Sequence, residues 1–276
     1  MNKIAVLLTC FNRKVTTLRC LEHLFSFDVD FDVYLVDDGC TDGTEKAVWT
    51  SFPQVNIIKS KGDLFWNRGM HLAWKEAAKQ NYDFYIWLND DVVLYNHAFK
   101  EILECSELNQ HQAIISGVIE THDQSRVIYG GHDQNKKVIT HNGSMNSITF
   151  MNGNFVLIPK AVFNNIGNLD PKYHHDLGDV DYGLRAKKQN VPVVTTRVPI
   201  ASGDTNSICR VRLNNTTMIK RFKRLYSPLG SNPNINFYHR KRHFGYLNAV
   251  VYYCFLVGLN VLPDTLNTCL FKNKYK

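Results

Sequence analysis

The chain has 276 residues, 44% hydrophobic and 12% aromatic, enough to bury a full core, which excludes a disordered or fibrous polypeptide. The formal charge of +7 points to an anionic partner, and the cations are gathered: Lys220, Arg221, Lys223, Arg224, Arg240, Lys241 and Arg242 all fall between Met218 and His243. An anionic membrane surface, a sugar diphosphate or a nucleic acid would each answer that cluster, and so would a solvated charged face. Seven scattered cysteines without a C-x-x-C pair argue against a disulfide framework and a zinc site, and fit a reducing cytoplasm. Ile4 to Leu8 is too short for the apolar segment of an export signal, so no export is expected.

In chain order, short apolar runs alternate with amphipathic stretches, the pattern of βαβ units and a largely parallel sheet. Strands are expected at Ile4 to Thr9, Val33 to Asp37, Val55 to Lys59, Phe84 to Leu88 and Ile114 to Val118. Helices are expected at Val15 to Phe25, Thr41 to Thr50 and Asn67 to Lys79, the last with Met70, Ala73, Trp74 and Ala77 on its core face. His122 to Met145 is polar and reads as a boundary between lobes. Ile148 to Pro159 reads as a strand pair around Gly153, and Asp179 to Lys188 as a short helix. Beyond Asp204 the alternation gives way to a basic, Asn-rich, aromatic tail. Within it Tyr246 to Leu262 is mostly apolar but falls short of the roughly 20 clean residues needed to span a bilayer. It suits a membrane interface beside Arg240 to His243, or packing on the core or a partner subunit.

Ligands of open α/β sheets bind at the carboxyl ends of the strands. Here those ends carry Thr9-Cys10-Phe11-Asn12-Arg13, Asp37-Asp38-Gly39, Ser60-Lys61-Gly62-Asp63 and Asn89-Asp90-Asp91. Such a crevice suits a nucleotide with a metal-bridged diphosphate. Two carboxylates at the end of a buried strand are costly without compensation. Mg²⁺ or Mn²⁺ would offset that cost by binding one or two carboxylates plus substrate phosphates, and a salt bridge to Lys or Arg is the competing account.

These segments, with Val36 to Thr44, Leu88 to Asp91, Gly153-Asn154-Phe155, Gly167-Asn168-Leu169-Asp170 and Gly178-Asp179-Val180-Asp181-Tyr182-Gly183-Leu184-Arg185, resemble glycosyltransferase family 2 on a GT-A fold. The resemblance runs over roughly residues 3 to 190, and Trp66-Asn67-Arg68-Gly69-Met70 is similar to the bacterial rhamnosyltransferase-like subset. It implies a Rossmann-like, mostly parallel α/β sheet flanked by helices, with an acceptor-binding second lobe and a C-terminal helical, basic tail. By position it implies that Thr9 and Asp38 contact the base, that Asn67 and Arg68 approach the nucleotide and its phosphates, and that Asn89 lies near the ribose. Phe11, Asn12, Arg13 and Asp90 are expected to complete the donor side, and the resemblance implies that Asp91 coordinates the metal. Asn89 replaces the commoner Asp of the triplet and lowers its charge.

A base must also take the acceptor hydroxyl's proton. Asp179 is the candidate, since Asp181 lies four residues before Arg185, in ion-pair range. The family usually shows Glu-Asp here; Gly178 replaces the Glu, leaving His175 or Asp176 to take over any orienting role. Gly153, Asn154, His175 and Asp176 are assigned to the acceptor. Adjacent His174 and His175 lack metal-ligand spacing.

The expectation is a metal-dependent, inverting transferase using UDP- or dTDP-sugar and a saccharide or lipid-linked saccharide acceptor of a bacterial surface polysaccharide, capsule or O-antigen. It would be cytoplasmic, peripheral on the inner membrane or self-associated as a homodimer, with a lipid surface preferred over nucleic acid as partner of the tail. The expected organisation is a donor lobe at residues 1–120, an acceptor and base lobe at 121–204 and an extension at 205–276. The alternatives are a non-catalytic binder on the same fold and a nucleotidyltransferase, though Thr9 to Arg13 lacks the Gly-rich phosphate loop of the latter.

Overall fold

A computed structural model describes residues 2–205 and 210–272. The described chain divides into two units. The first comprises residues 1–171 and 178–205; the second joins 172–177 to 206–276.

The first unit starts with β1 (Ile4–Cys10), α1 (Lys14–Leu24), β2 (Phe31–Asp37), α2 (Thr44–Ser51), β3 (Asn56–Lys59), α3 (Phe65–Ala77) and β4 (Phe84–Leu88). The alternating reading holds for every one of these elements. The helix expected from Thr41 begins at Thr44, because Asp42 accepts bonds from the Thr44 N–H at 3.1 Å and the Lys14 N–H at 2.9 Å and so holds the preceding residues in a turn. There follow β5 (Val93–Leu94), α4 (Ala98–Leu108), β6 (Ile114–Thr121), β7 (Val127–Tyr129), β8 (Gly131–His132), β9 (Phe150–Met151), β10 (Phe155–Pro159), α5 (Lys160–Ile166), α6 (Gly178–Lys188) and β11 (Val193–Gly203).

Among the described residues the main sheet runs β3-β2-β1-β4-β10-β6-β11-β5, with β7 on β6. β1 to β4 are mutually parallel, whereas β10 is antiparallel to both β4 and β6. The expected strand pair around Gly153 does not form. β9 instead pairs with β8 in a separate two-stranded sheet, and β10 is drawn into the main sheet because Phe155 to Pro159 is buried throughout. The antiparallel register sets Phe155 opposite Leu88. It therefore brings Gly153 and Asn154 to the carboxyl end of β4.

Side-chain alternation divides the core into two layers. Ile4, Val6, Leu8, Phe84, Ile86 and Leu88 face α1 and α4, and Ala5, Leu7, Tyr85 and Trp87 face α3 and α6. In the second layer fully buried Trp74 sits 5.4 Å from both Trp87 and Tyr182, ring centre to ring centre. Met70, Ala73, Trp74 and Ala77 are all fully buried, as the spacing along α3 predicts.

The second unit contains α7 (Met218–Leu225), α8 (Pro233–Phe244), α9 (Tyr246–Val261) and α10 (Asp264–Phe271). α7 and α8 begin on the side-chain caps Thr217 and Asn232. Not all of this unit's cations face solvent. Arg212 and Arg221 are buried, donate to the Leu262 carbonyl at 2.8 and 2.9 Å, and pair with Asp264 at 2.7 and 2.8 Å. They satisfy carbonyls that the end of α9 would otherwise leave unpaired. No described helix is long and apolar enough to cross a membrane.

Candidate active site

The carboxyl ends of β1 and β4 meet through one arginine. Arg13 places Nη1 3.3 Å from Asp90 and Nη2 3.2 Å from Asp91. The ion pair that competed with a cation in the sequence reading is thus formed, but unequally. Asp90 is buried and also accepts from the Thr17 hydroxyl at 2.9 Å; burial pushes its carboxyl above the usual range against the pull of Arg13 and Thr17. The Asp91 side chain is 53% exposed and gives only Oδ2 to Arg13. Asp90 anchors the strand end, while Asp91 presents oxygen to solvent.

Asp38 is also buried. Its carboxylate accepts from the Ser60 hydroxyl, the Leu64 N–H at 3.1 Å and the Phe65 N–H at 2.9 Å, so it ties β2 to the start of α3. Asn12, with φ 51°, accepts from the Thr41 N–H at 2.7 Å and joins the loops after β1 and β2. Thr9 lies at the end of β1, and Phe11 beyond it is 53% exposed.

A hydrogen-bonded chain connects Trp66 of α3 and Asn89 after β4 to the candidate base Asp179. Trp66 Nε1 donates to Asn89 Oδ1 at 2.7 Å, and Asn89 Nδ2 donates to Asn154 Oδ1 at 2.7 Å. The Asn89 N–H donates to the Asn154 carbonyl at 2.8 Å, and the Gly153 N–H donates to Asp179 Oδ2 at 2.9 Å. A Cβ on Gly153 would overlap the Trp66 ring and come within 3.2 Å of the Asp179 Cβ, so only glycine lets these three groups close on one another.

Asp179 is held at the start of α6 by that helix's own anchors. Arg185 binds Asp181 at 2.9 Å and donates to the carbonyls of Ile166 and Asn168, each at 2.8 Å. The expected Asp181–Arg185 pair is therefore present, and it assigns Asp181 to structure. The loop after α5 also receives α3: Asn67 donates to the Asp170 carbonyl at 2.9 Å and Arg68 Nε to that of Pro171 at 2.8 Å. Buried Asn67 lies against Gly178, where a Cβ would overlap its side-chain amide. This explains the missing side chain at 178: Asn67 takes the space.

His175 and Asp176 fall in the second unit, where they line a cleft of about 180 Å³ with Ser227, Asn232, Ile235 and Tyr252. Arg210 pairs with Asp176 there. Burial first, then Arg210 and Arg224, hold the His175 pKa below its usual value against the pull of Asp176. The Arg210–Asp176 pair carries no signal in the sequence, because 34 residues separate its members.

The sequence profile of the Glycosyltransferase like family 2 matches residues 2–218. The chain belongs to this family. Its fold is similar to that of S. aureus TarS 1-349 in complex with UDP, with a TM-score of 0.56 at 14% identity over 99% of this chain and 75% of that one. It is equally similar to the mannosyltransferase PcManGT from Pyrobaculum calidifontis, in complex with GDP-Man and Mn²⁺, with a TM-score of 0.56 at 13% identity over 99% and 76% of the two chains. No curated protein sequence matches the chain. The family member thus has the expected α/β GT-A architecture, with a mostly parallel sheet flanked by helices.

Proposed function

We propose that this protein is an inverting glycosyltransferase that moves a sugar from a UDP- or dTDP-sugar to a saccharide acceptor, free or lipid-linked, in bacterial surface polysaccharide synthesis on the cytoplasmic side of the membrane. The observation that carries the reading is the hydrogen-bonded chain from Trp66 and Asn89 through Gly153 to Asp179. It joins a strand end assigned to the donor to a carboxylate within one compact unit. The UDP seen with TarS and the GDP-Man seen with PcManGT agree with a nucleotide-sugar donor.

In this reading Thr9, Phe11, Asn12 and the Asp38-held turn bound the base, with exposed Phe11 offering a stacking face. Asn67, Arg68 and Asn89 border the ribose and phosphates. Asp91 is a suitable holder for Mn²⁺ or Mg²⁺, because it offers a solvent-facing hard oxygen beside an anchored second carboxylate. A cation there supplies Lewis-acid stabilisation of the departing diphosphate. Arg13 holds Asp90 and Asp91 in place and lends positive charge to the same strand end. Asp179, oriented by the Gly153 N–H, accepts the proton of the attacking hydroxyl. The hydroxyl oxygen bonds to the anomeric carbon from the side opposite the phosphate, and the carbon–phosphate-oxygen bond breaks with its electron pair leaving on the nucleoside diphosphate.

The test is a panel of nucleotide sugars assayed for hydrolysis and transfer with and without Mn²⁺. Turnover of a UDP- or dTDP-sugar is expected, with kcat falling roughly 10²- to 10⁴-fold in Asp179→Asn while nucleotide affinity stays unchanged. Binding without turnover of any donor would identify a non-catalytic protein instead.

A further inference from the structure

The second unit carries thirteen Lys and Arg against two acids, Asp176 and Asp264. That is a formal +11 in a chain whose total is +7. α8 and α9 form a hairpin reversed at Gly245, with φ 91°, and pack side by side through Phe237, whose ring lies 5.7 Å from Tyr246 and 6.3 Å from Tyr253. No residue of α9 is charged. One of its faces is buried through Ala249, Leu256 and Leu259; the other presents Leu247, Val251, Cys254, Gly258 and Val261, all exposed. These five recur at helical spacing and form a straight apolar stripe about 21 Å long at 1.5 Å per residue. Phe244 and Tyr246 are exposed at the turn, and Leu266 and Leu270 on α10. Exposed Lys241 and Arg242 lie just before the stripe and exposed Lys272 just after α10.

We propose that this face of the second unit seats on an anionic lipid bilayer, the α9 stripe entering the acyl boundary and Lys241, Arg242 and Lys272 meeting the headgroups. An uncharged helix with one face bare, exposed cations just before it and another after α10 suits a surface that is apolar within and negative at its rim. A second copy of the chain fits less well, since face-to-face pairing would oppose two strongly cationic units. The proposal concerns anchorage and stands independently of the donor, the metal and Asp179.

Co-sedimentation of the full chain with vesicles tests it, comparing phosphatidylcholine alone with phosphatidylcholine mixed with phosphatidylglycerol. The chain is expected to pellet with the anionic vesicles only, and less so in high salt. Lys241→Glu and Arg242→Glu should each weaken partitioning by at least about fivefold, from the surface attraction of one cation. The pair Leu247→Glu/Val251→Glu should abolish it while circular dichroism and nucleotide binding stay unchanged. Undiminished sedimentation of that double variant would overturn the proposal. So would failure of the wild type to bind either vesicle, and a dimer by light scattering that the double variant dissociates would then make the face a subunit interface.

Discussion

Asp90 and Asp91 are adjacent in sequence yet meet different surroundings, and that difference decides what each can do. A buried carboxylate already bonded to Thr17 and Arg13 has little capacity left for a ligand, whereas Asp91 keeps an oxygen toward solvent. Asp91→Ala is therefore expected to remove Mn²⁺-dependent UDP or dTDP affinity in calorimetry. Equal affinity with and without the substitution would move the cation elsewhere. The Asn67–Gly178 contact makes a second residue-scale prediction. Gly178→Ala should destabilise by about 1–3 kcal/mol through overpacking, and Asn67→Ala in the same chain should recover part of that loss, a coupling visible in a double-mutant cycle of chemical denaturation. Both positions were legible as motif residues. Their contact was not, because 111 residues of chain separate them and only the docking of α3 on the α5–α6 loop closes the gap.

Between elements, α4 and β11 are held by an ion pair that the sequence conceals. Arg197 in β11 donates its backbone N–H to Glu101 at 2.8 Å and its guanidinium to Glu101 and Glu104, both at 2.6 Å. Burial pushes the Glu101 carboxyl up, but these hydrogen bonds outweigh it and hold the pKa below the ordinary value. A depressed folded-state pKa means that the stabilisation is complete above the unfolded glutamate pKa of about 4.3 and is lost as pH falls through the lower value. Glu101→Gln should then cost about 1–2 kcal/mol at neutral pH, allowing for solvent screening at partly exposed Arg197, and the gap from wild type should close in acid. Thermal melting across that range measures both. β11 itself escaped the sequence reading because Thr195, Arg197 and Pro199 interrupt its apolar run, and its register with β6 shifts at the same place.

At the scale of the whole molecule, the bulk of the cationic charge and the family match separate along the chain. The family match ends at residue 218, so α8 to α10 lie outside it, and the second unit carries the cationic excess. Nucleotide with Mn²⁺ should stabilise the fold by about 2.7 kcal/mol at a hundred times its Kd, raising Tm by roughly 5 °C, and UDP or dTDP should do so more than GDP; a flat response to all three would deny a nucleotide site. By itself the sequence determined the α/β class, the first four parallel strands, the core stripe of α3 and the strand ends that carry Thr9, Asp38 and Asp91, because hydrophobic period and strand-end chemistry are local properties. Only the tertiary structure decided that β10 enters the sheet antiparallel, that Asn154 therefore meets Asn89 while Gly153 meets Asp179, and that Arg212 and Arg221 belong to the interior while Lys241 and Arg242 face outward. Those outcomes depend on which distant segments pair and pack, and the spacing of residues along one chain does not encode the energy of contacts between residues tens of positions apart.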